Sequence, residues 1–380
     1  MMIAMEPDSC LFSRWLTAFA IGDIRFPLMP RLTSVSPSLE TGKERYVSAK
    51  RPASRGNSYL KSPARRASLG WRGFRNYISK KPIAISFEVT HSCNAQCRHC
   101  HLGGGVKEDR ASAQAYAEIC RKLRPVIAQF SGGEPLLRQD LEDIIRAVRV
   151  PNRAPYIIIT TNAALLTRER YERLREAGTD EFSISLDYPD DRHDAFRGIP
   201  GLFGRIKTFV ESFNPQEDKP LTLCCVIQSD NFRDLPRLAE LAREWEVNLN
   251  LSAYTPMRTH NLAYMIPPEE LEEFRRVARQ LLKFKKAHNR IFTTGYQFRN
   301  MMTYFQQGFF SGCRTGVRFC NVNPNGTFSP CGLIITNFKT LDDLKKGFSA
   351  TNDCANCLTS IRANCEKPVW RSALDALKSL

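Results

Sequence analysis

The sequence predicts an α/β protein built on a parallel sheet, and three observations carry that prediction. From about Leu69 onward, short apolar runs alternate with amphipathic segments. Six of the runs have strand length, and five of the segments between them have helical period. The polar and glycine-rich stretches fall just after the strands, at 93–105, 131–135, 160–162 and 187–198. Parallel folds gather their ligands at that end of the sheet.

Taken in order, the strands are expected at 83–90, 126–130, 156–160, 181–187, 221–228 and 247–252. The helices between them are expected at 112–123, 140–148, 168–177, 201–213 and 235–245, and Gly178 is a natural residue to end the third. A right-handed βα repeat of this kind is either doubly wound or curled into a partial barrel. After Tyr254 the rhythm changes to a long helix at 268–287, an aromatic stretch at 292–310, a cysteine-rich segment at 313–365 and a closing helix at 369–377. The domain division follows: a disordered basic extension at 1–70, a core at 71–255, a helical linker at 256–312, a metal-stapled domain at 313–366 and a terminal helix at 367–380.

The chain has 380 residues, 42% of them hydrophobic, which is enough for two domains with a core. Its net charge of +16 is uneven, since residues 1–75 hold 13 Lys/Arg against 5 Asp/Glu. That stretch reads as a solvated basic tail, an organelle transit segment or a start assigned upstream of the true one. No apolar run approaches the ~20 residues of a membrane-spanning helix. Thirteen cysteines in close spacings favour metal over disulfides, hence a reducing, cytoplasmic compartment. Cys120, Cys224 and Cys225 lie in a helix and a strand, where cysteine serves as a small buried hydrophobe.

Directly after the first strand comes Cys93-Asn-Ala-Gln-Cys97-Arg-His-Cys100, a C-x3-C-x2-C loop closed by Gly103, Gly104 and Gly105. Three thiolates in one loop make a soft-metal site of the kind that holds iron–sulfur clusters. Zinc completed by His91, His99 or His101 is the competing reading and would make the chain a non-catalytic binding module. Zinc motifs, however, favour paired C-x2-C knuckles. Gly132-Gly133-Glu134-Pro135 ends the second strand, Thr160-Thr161-Asn162 ends the third, and Ser183-Ile-Ser185-Leu-Asp187 forms the fourth. Period two sets Ser183, Ser185 and Asp187 on one face.

These motifs, in this order over roughly residues 80–365, resemble the radical S-adenosylmethionine (SAM) superfamily. The resemblance implies a partial (β/α)6 TIM-like barrel. It also implies a [4Fe-4S] cluster on Cys93, Cys97 and Cys100, whose open fourth iron chelates SAM and cleaves it to a 5′-deoxyadenosyl radical. Gly132 and Gly133 would let the backbone approach the methionine moiety, and Glu134 would hold the turn. Thr161, Asn162, Ser183, Ser185 and Asp187 would complete the SAM site, with His99 against the adenine and Arg197 of His193-Asp194-Ala-Phe-Arg197-Gly198 reaching SAM.

The second cysteine group resembles the C-terminal extensions called SPASM and twitch domains. Pro324-Asn-Gly326-Thr-Phe-Ser-Pro330-Cys331 matches the turn that precedes a ligand there, and Asn-Gly favours a tight hairpin in any case. Cys313, Cys331, Cys354 and Cys357 form the implied ligand set of one auxiliary [4Fe-4S] cluster. Cys320 and Cys365 fit the larger pattern of two clusters, but six thiols cannot fill eight positions, so one auxiliary cluster is the expectation. Sulfatase maturases place an aspartate base directly after a ligand cysteine, and here that position is Gly332. The resemblance therefore implies hydrogen abstraction from a peptide or small metabolite, with flavodoxin or ferredoxin as electron donor. It assigns no catalytic residue. An RNA substrate is the alternative that the net charge motivates, although a nucleic acid partner is not expected.

Overall fold

The computed structural model describes residues 63–149, 154–214 and 217–368. The expected closing helix at 369–377 and most of the basic extension at 1–70 lie outside them. Among the described residues eight strands form one sheet: β1 (Ala84–Thr90), β2 (Ile127–Gly132), β3 (Tyr156–Thr161), β4 (Glu181–Ser185), β5 (Leu221–Ile227), β6 (Asn248–Ala253), β7 (Phe319–Val322) and β8 (Phe328–Ser329). Their order is β6-β5-β4-β3-β2-β1-β7-β8. Every pair is parallel except the β7–β8 hairpin. No pairing joins β6 to β8 among the described residues, so the barrel is partial.

The crossovers are α2 (Ala113–Leu123), α3 (Leu141–Val148), α4 (Arg168–Ala177), the helix pair α5 (Arg192–Arg197) and α6 (Leu202–Glu211), and α7 (Leu235–Glu244); α1 (Pro63–Ile78) precedes β1. Local chemistry starts and stops them. Ser112 and Thr167 cap α2 and α4 by accepting from Ala115 N and Arg170 N, and Gly178, at φ +125°, ends α4. Each strand then sorts its side chains by period two. Ile85, Phe87, Val89, Ala128, Phe130, Ile157 and Ile159 join the apolar layer under the helices. Ser86, Glu88, Gln129, Ser131, Thr160, Ser185, Ser252 and Asn321 line the opposite, concave side.

Beyond β6 the chain forms α8 (Leu271–His288) and α9 (Gly295–Gln307), then the cysteine-rich segment with α10 (Leu341–Gly347) and α11 (Ser360–Cys365). The aromatic stretch at 292–310 is thus largely helix, started by a reciprocal Thr294/Gln297 capping box. Asn325-Gly326 makes the hairpin turn between β7 and β8, with Gly326 at φ +83°. β7 runs parallel to β1, so the cysteine-rich segment extends the core sheet.

The sequence places disorder up to residue 70, whereas α1 already begins at Pro63. Tertiary contacts account for the difference. Arg65 Nη2 lies 3.0 Å from both carboxylate oxygens of Asp180, and Asn76 Nδ2 donates to the carbonyls of Pro82, Leu123 and Arg124. Helix propensity is a weak prior that such contacts override. No helix among the described residues is long and apolar enough to cross a membrane.

Candidate active site

The first cysteine loop leaves the C-terminal end of β1 and is pinned at both ends. Cys93 N donates to Gly104 O at 2.9 Å, and Gln96 N and Arg98 N donate to the carbonyls of Arg197 and Phe196, at the C-terminal end of α5. Cys93, Cys97 and Cys100 line a cavity of about 340 Å³ on the concave side of the sheet. Each sulfur has a nearby N–H donor: Ala95 N at 3.4 Å from Cys93, Arg197 Nη1 at 3.6 Å from Cys97 and Arg258 Nη1 at 3.2 Å from Cys100. Burial pushes the Cys93 thiol up to about 11 and raises Cys97 as well, against the pull of Arg197. Such thiols ionise readily only when a metal takes their charge. Among the described residues no three His, Cys, Asp or Glu side chains converge on the point that a single ion would occupy. An iron–sulfur cluster takes one thiolate on each of several irons, and three thiols lining one cavity are a donor set of that chemistry.

The turn after β2 is drawn tight against β1. A Cβ on Gly132 would stand 2.1 Å from Thr90 O, and one on Gly133 would stand 2.1 Å from Ser92 O. The two glycines are therefore required by the protein's own backbone, whatever else approaches them. Glu134, fully buried, holds this turn to the next strand. It accepts from Leu136 N at 3.1 Å, Thr161 Oγ1 at 2.7 Å and Asn162 N at 2.8 Å. Burial pushes its carboxyl up to about 6, against those three donors. Asn162 Nδ2 reaches back to Asn94 Oδ1 in the cysteine loop at 2.8 Å.

Of the residues singled out from sequence, Gly132, Gly133, Thr161, Asn162, Ser185, Arg197 and His99 line the cavity, while Glu134, Ser183 and Asp187 do not. Ser183 Oγ stands 2.8 Å from Cys224 Sγ. Asp187 is fully buried; one carboxylate oxygen accepts from Val226 N and the other from Arg197 Nε at 2.9 Å and Arg197 Nη2. Burial raises the Asp187 carboxyl, but the Arg197 guanidinium together with His99, His193 and the Val226 N–H holds the group below its ordinary value. Arg197 thus turns its remaining nitrogen toward Cys97. His99 stacks on Phe196 at 4.9 Å between ring centroids, and its buried Nδ1 has no partner. Burial, and then the Arg197 charge, bring its imidazole down to about 3, so the ring is neutral.

The second cysteine group divides. Cys313, Cys331 and Cys357 are mutual electrostatic neighbours, and Cys354 adjoins Cys357. Burial pushes the Cys313 thiol to about 11 and the Cys331 thiol to about 12. Cys320 instead has Cys365 and Cys120 as its thiol neighbours. Cys331 and Cys320 also line the cavity, so thiols of the first and second cysteine groups open into one space.

Two charged residues of that space, Glu88 and Arg258, had not been singled out from sequence. Glu88 Oε2 lies 3.1 Å from His91 Nε2, and Arg258 Nη2 donates to Gly332 O at 2.9 Å. Glu88 did carry a signal: Ser86 and Glu88 alternate with Ile85, Phe87 and Val89, as Gln129 and Ser131 alternate with Ala128 and Phe130. Polar residues on one face of otherwise apolar strands need a wet or ligand-bearing interior. Arg258 carried none.

Residues 87–242 match the family described as the Radical SAM superfamily. The AdoMet-dependent heme synthase of Methanosarcina barkeri is 27% identical over 279 residues, covering 68% of this chain and 78% of that protein. The PqqA peptide cyclase of Bradyrhizobium diazoefficiens is 27% identical over 268 residues, covering 66% of each. Streptococcus suis SuiB bound to its precursor peptide SuiA shares the fold with a TM-score of 0.55 at 16% identity, over 88% of this chain and 75% of that one. The structure of anSMEcpe with bound AdoMet and the Cp18Cys peptide gives 0.52 at 15% identity, over 78% and 98%. The chain is an enzyme with a radical SAM domain matched at residues 87–242, an α/β partial barrel followed by a cysteine-rich C-terminal segment. That sets aside the reading as a non-catalytic zinc module.

Proposed function

We propose that the chain withdraws hydrogen from a peptide, using one cluster to cleave SAM and one auxiliary cluster to carry an electron. The carrying observation is that Cys93, Cys97 and Cys100 share one cavity with Cys331. In this reading Cys93, Cys97 and Cys100 hold the first [4Fe-4S] cluster, and Cys313, Cys331, Cys354 and Cys357 hold the second. When bound, the first cluster and SAM supply one-electron cleavage and hydrogen-atom abstraction. A flavodoxin or ferredoxin supplies the electron. Residues 71–255 then form the SAM-cleaving core and residues 313–366 the iron–sulfur segment.

The chain's own residues bind and orient. Glu134 fixes the Gly132-Gly133 turn and the Thr161-Asn162 strand end, so that their backbone faces one ligand. Arg197, anchored by Asp187, sets a positive charge beside Cys97. Glu88 is the carboxylate on the cavity wall placed to take a proton from the substrate, in a chain where Gly332 brings none. A peptide suits the polar groups on the strands. The buried Asn321 Oδ1 has no donor, and Glu88, Gln129 and Ser131 offer further partners to an amide backbone. The relationship to the PqqA peptide cyclases supports the same substrate class.

The test is anaerobic reconstitution with iron and sulfide, then incubation with SAM, dithionite and short peptides encoded beside the gene. About eight irons per chain, 5′-deoxyadenosine and a peptide mass shift are expected. Absence of 5′-deoxyadenosine overturns the catalytic reading. Incorporation of only about four irons overturns the auxiliary cluster.

A further inference from the structure

The turn that follows β6 touches both cysteine groups. Thr255 opens it, and Pro256–Arg258 form a single 3-10 turn at the rim of the cavity. On one side Thr255 Oγ1 donates to Asn356 O at 2.9 Å, inside the Cys354–Cys357 knuckle, where Tyr304 Oη donates to the same carbonyl at 3.2 Å. On the other side Arg258 divides its guanidinium between Gly332 O, one residue past Cys331, at 2.9 Å, and Cys100 Sγ at 3.2 Å. Gly332 is wedged between charges. A Cβ there would meet Glu88 Oε1 at 2.2 Å and Arg258 Nη2 at 3.4 Å. A Cβ at this position would require the Glu88 carboxylate to shift.

We infer that Arg258 is a positioning residue which bolts the auxiliary hairpin to the first cysteine loop and raises the reduction potential of the first cluster. The inference rests on the reading of Cys100 and Cys331 as cluster ligands. Its physics is direct. A planar guanidinium can serve two acceptors at fixed angles, which lysine cannot do. Hydrogen bonds and positive charge at a cluster sulfur favour the reduced, more negative state and move its potential upward. One side chain therefore sets both the spacing between the two cysteine groups and the ease with which the first accepts an electron.

The experiment is an EPR-monitored redox titration of the reconstituted full chain and of Arg258→Gln, with SAM present to mark the first cluster by its change of signal. Arg258→Gln with wild-type iron content is expected to show the SAM-responsive signal at a more negative potential. It should also yield less 5′-deoxyadenosine with a weak reductant, and a yield restored by a strong one. An unchanged potential in an iron-replete Arg258→Gln overturns the inference. If Arg258→Gln takes up no iron, Arg258→Lys decides, because it keeps the charge but loses the planar fork that serves Gly332 O and Cys100 Sγ together. A negative shift there supports the inference and a wild-type potential overturns it. A wild-type chain that shows no SAM-responsive signal overturns the underlying ligand reading as well, and so separates the two failures.

Discussion

The cavity wall puts single residues under opposing demands, and the Asp187–Arg197 pair shows how they are met. Both groups are buried, where an isolated charge is costly, and each neutralises the other. Asp187→Asn would leave Arg197 unpaired and is expected to cost about 3–5 kcal/mol, measured by urea unfolding. The pH dependence has a definite sign. The native carboxyl titrates below its ordinary ~3.9, so the pair's contribution is complete above that value. It is lost as pH falls through the lowered native pKa, and the gap between wild type and Asp187→Asn should narrow there.

The thiols make a separate residue-scale case. Cys97→Ala is expected to abolish 5′-deoxyadenosine formation while about four irons remain on the other cysteines, read by iron analysis and EPR. Loss of all iron would mean that the two cysteine groups do not load independently.

At the scale of elements, the strand ends shape the site more than the helices do. The β2 turn passes so close to β1 that neither glycine has room for a side chain. Gly133→Ala should destabilise the fold by about 1–3 kcal/mol and loosen Glu134 from Thr161 and Asn162. Gly105, whose Cβ would meet nothing within 4 Å, should accept alanine without measurable loss. Thermal unfolding of the two variants side by side checks this contrast.

These elements also show why some structure was legible in the sequence and some was not. The six core strands and their crossovers announce themselves because apolar periodicity is a local property repeated over many residues. The α9 helix hides in an aromatic stretch that reads as irregular, yet its Thr294/Gln297 capping box was there to be found. β7 and α11 are too short to show a period, and they form because β1 and the sheet's concave side are already in place.

For the whole molecule, ties between distant parts of the chain decide what holds together. Asp180, at the start of β4, gathers Arg65 from α1, Arg149 from the end of α3, and the backbone N of Ile157. Asp180→Asn removes the charge that both arginines share and is expected to cost about 3–5 kcal/mol. The cost should appear as lowered unfolding temperature and faster proteolysis near residues 63–78, and a variant with wild-type values would show that α1 is held by its other contacts. The Arg258 bracket is the corresponding tie at the opposite, C-terminal end of the strands.

The sequence by itself determined the class of chemistry. The spacing of Cys93, Cys97 and Cys100, the Gly-Gly-Glu-Pro turn and the βα rhythm are short-range patterns, and each is complete within a few residues. Only the tertiary structure decided how the pieces meet. It turned Asp187 toward Arg197 instead of the cavity, set Cys320 beside Cys365 and Cys120, and brought Glu88, Arg258 and Gly332 together. The reason is physical. A charge buried by folding must find its partner wherever the chain delivers one, and that partner can lie more than a hundred residues away, as Cys100 lies from Arg258.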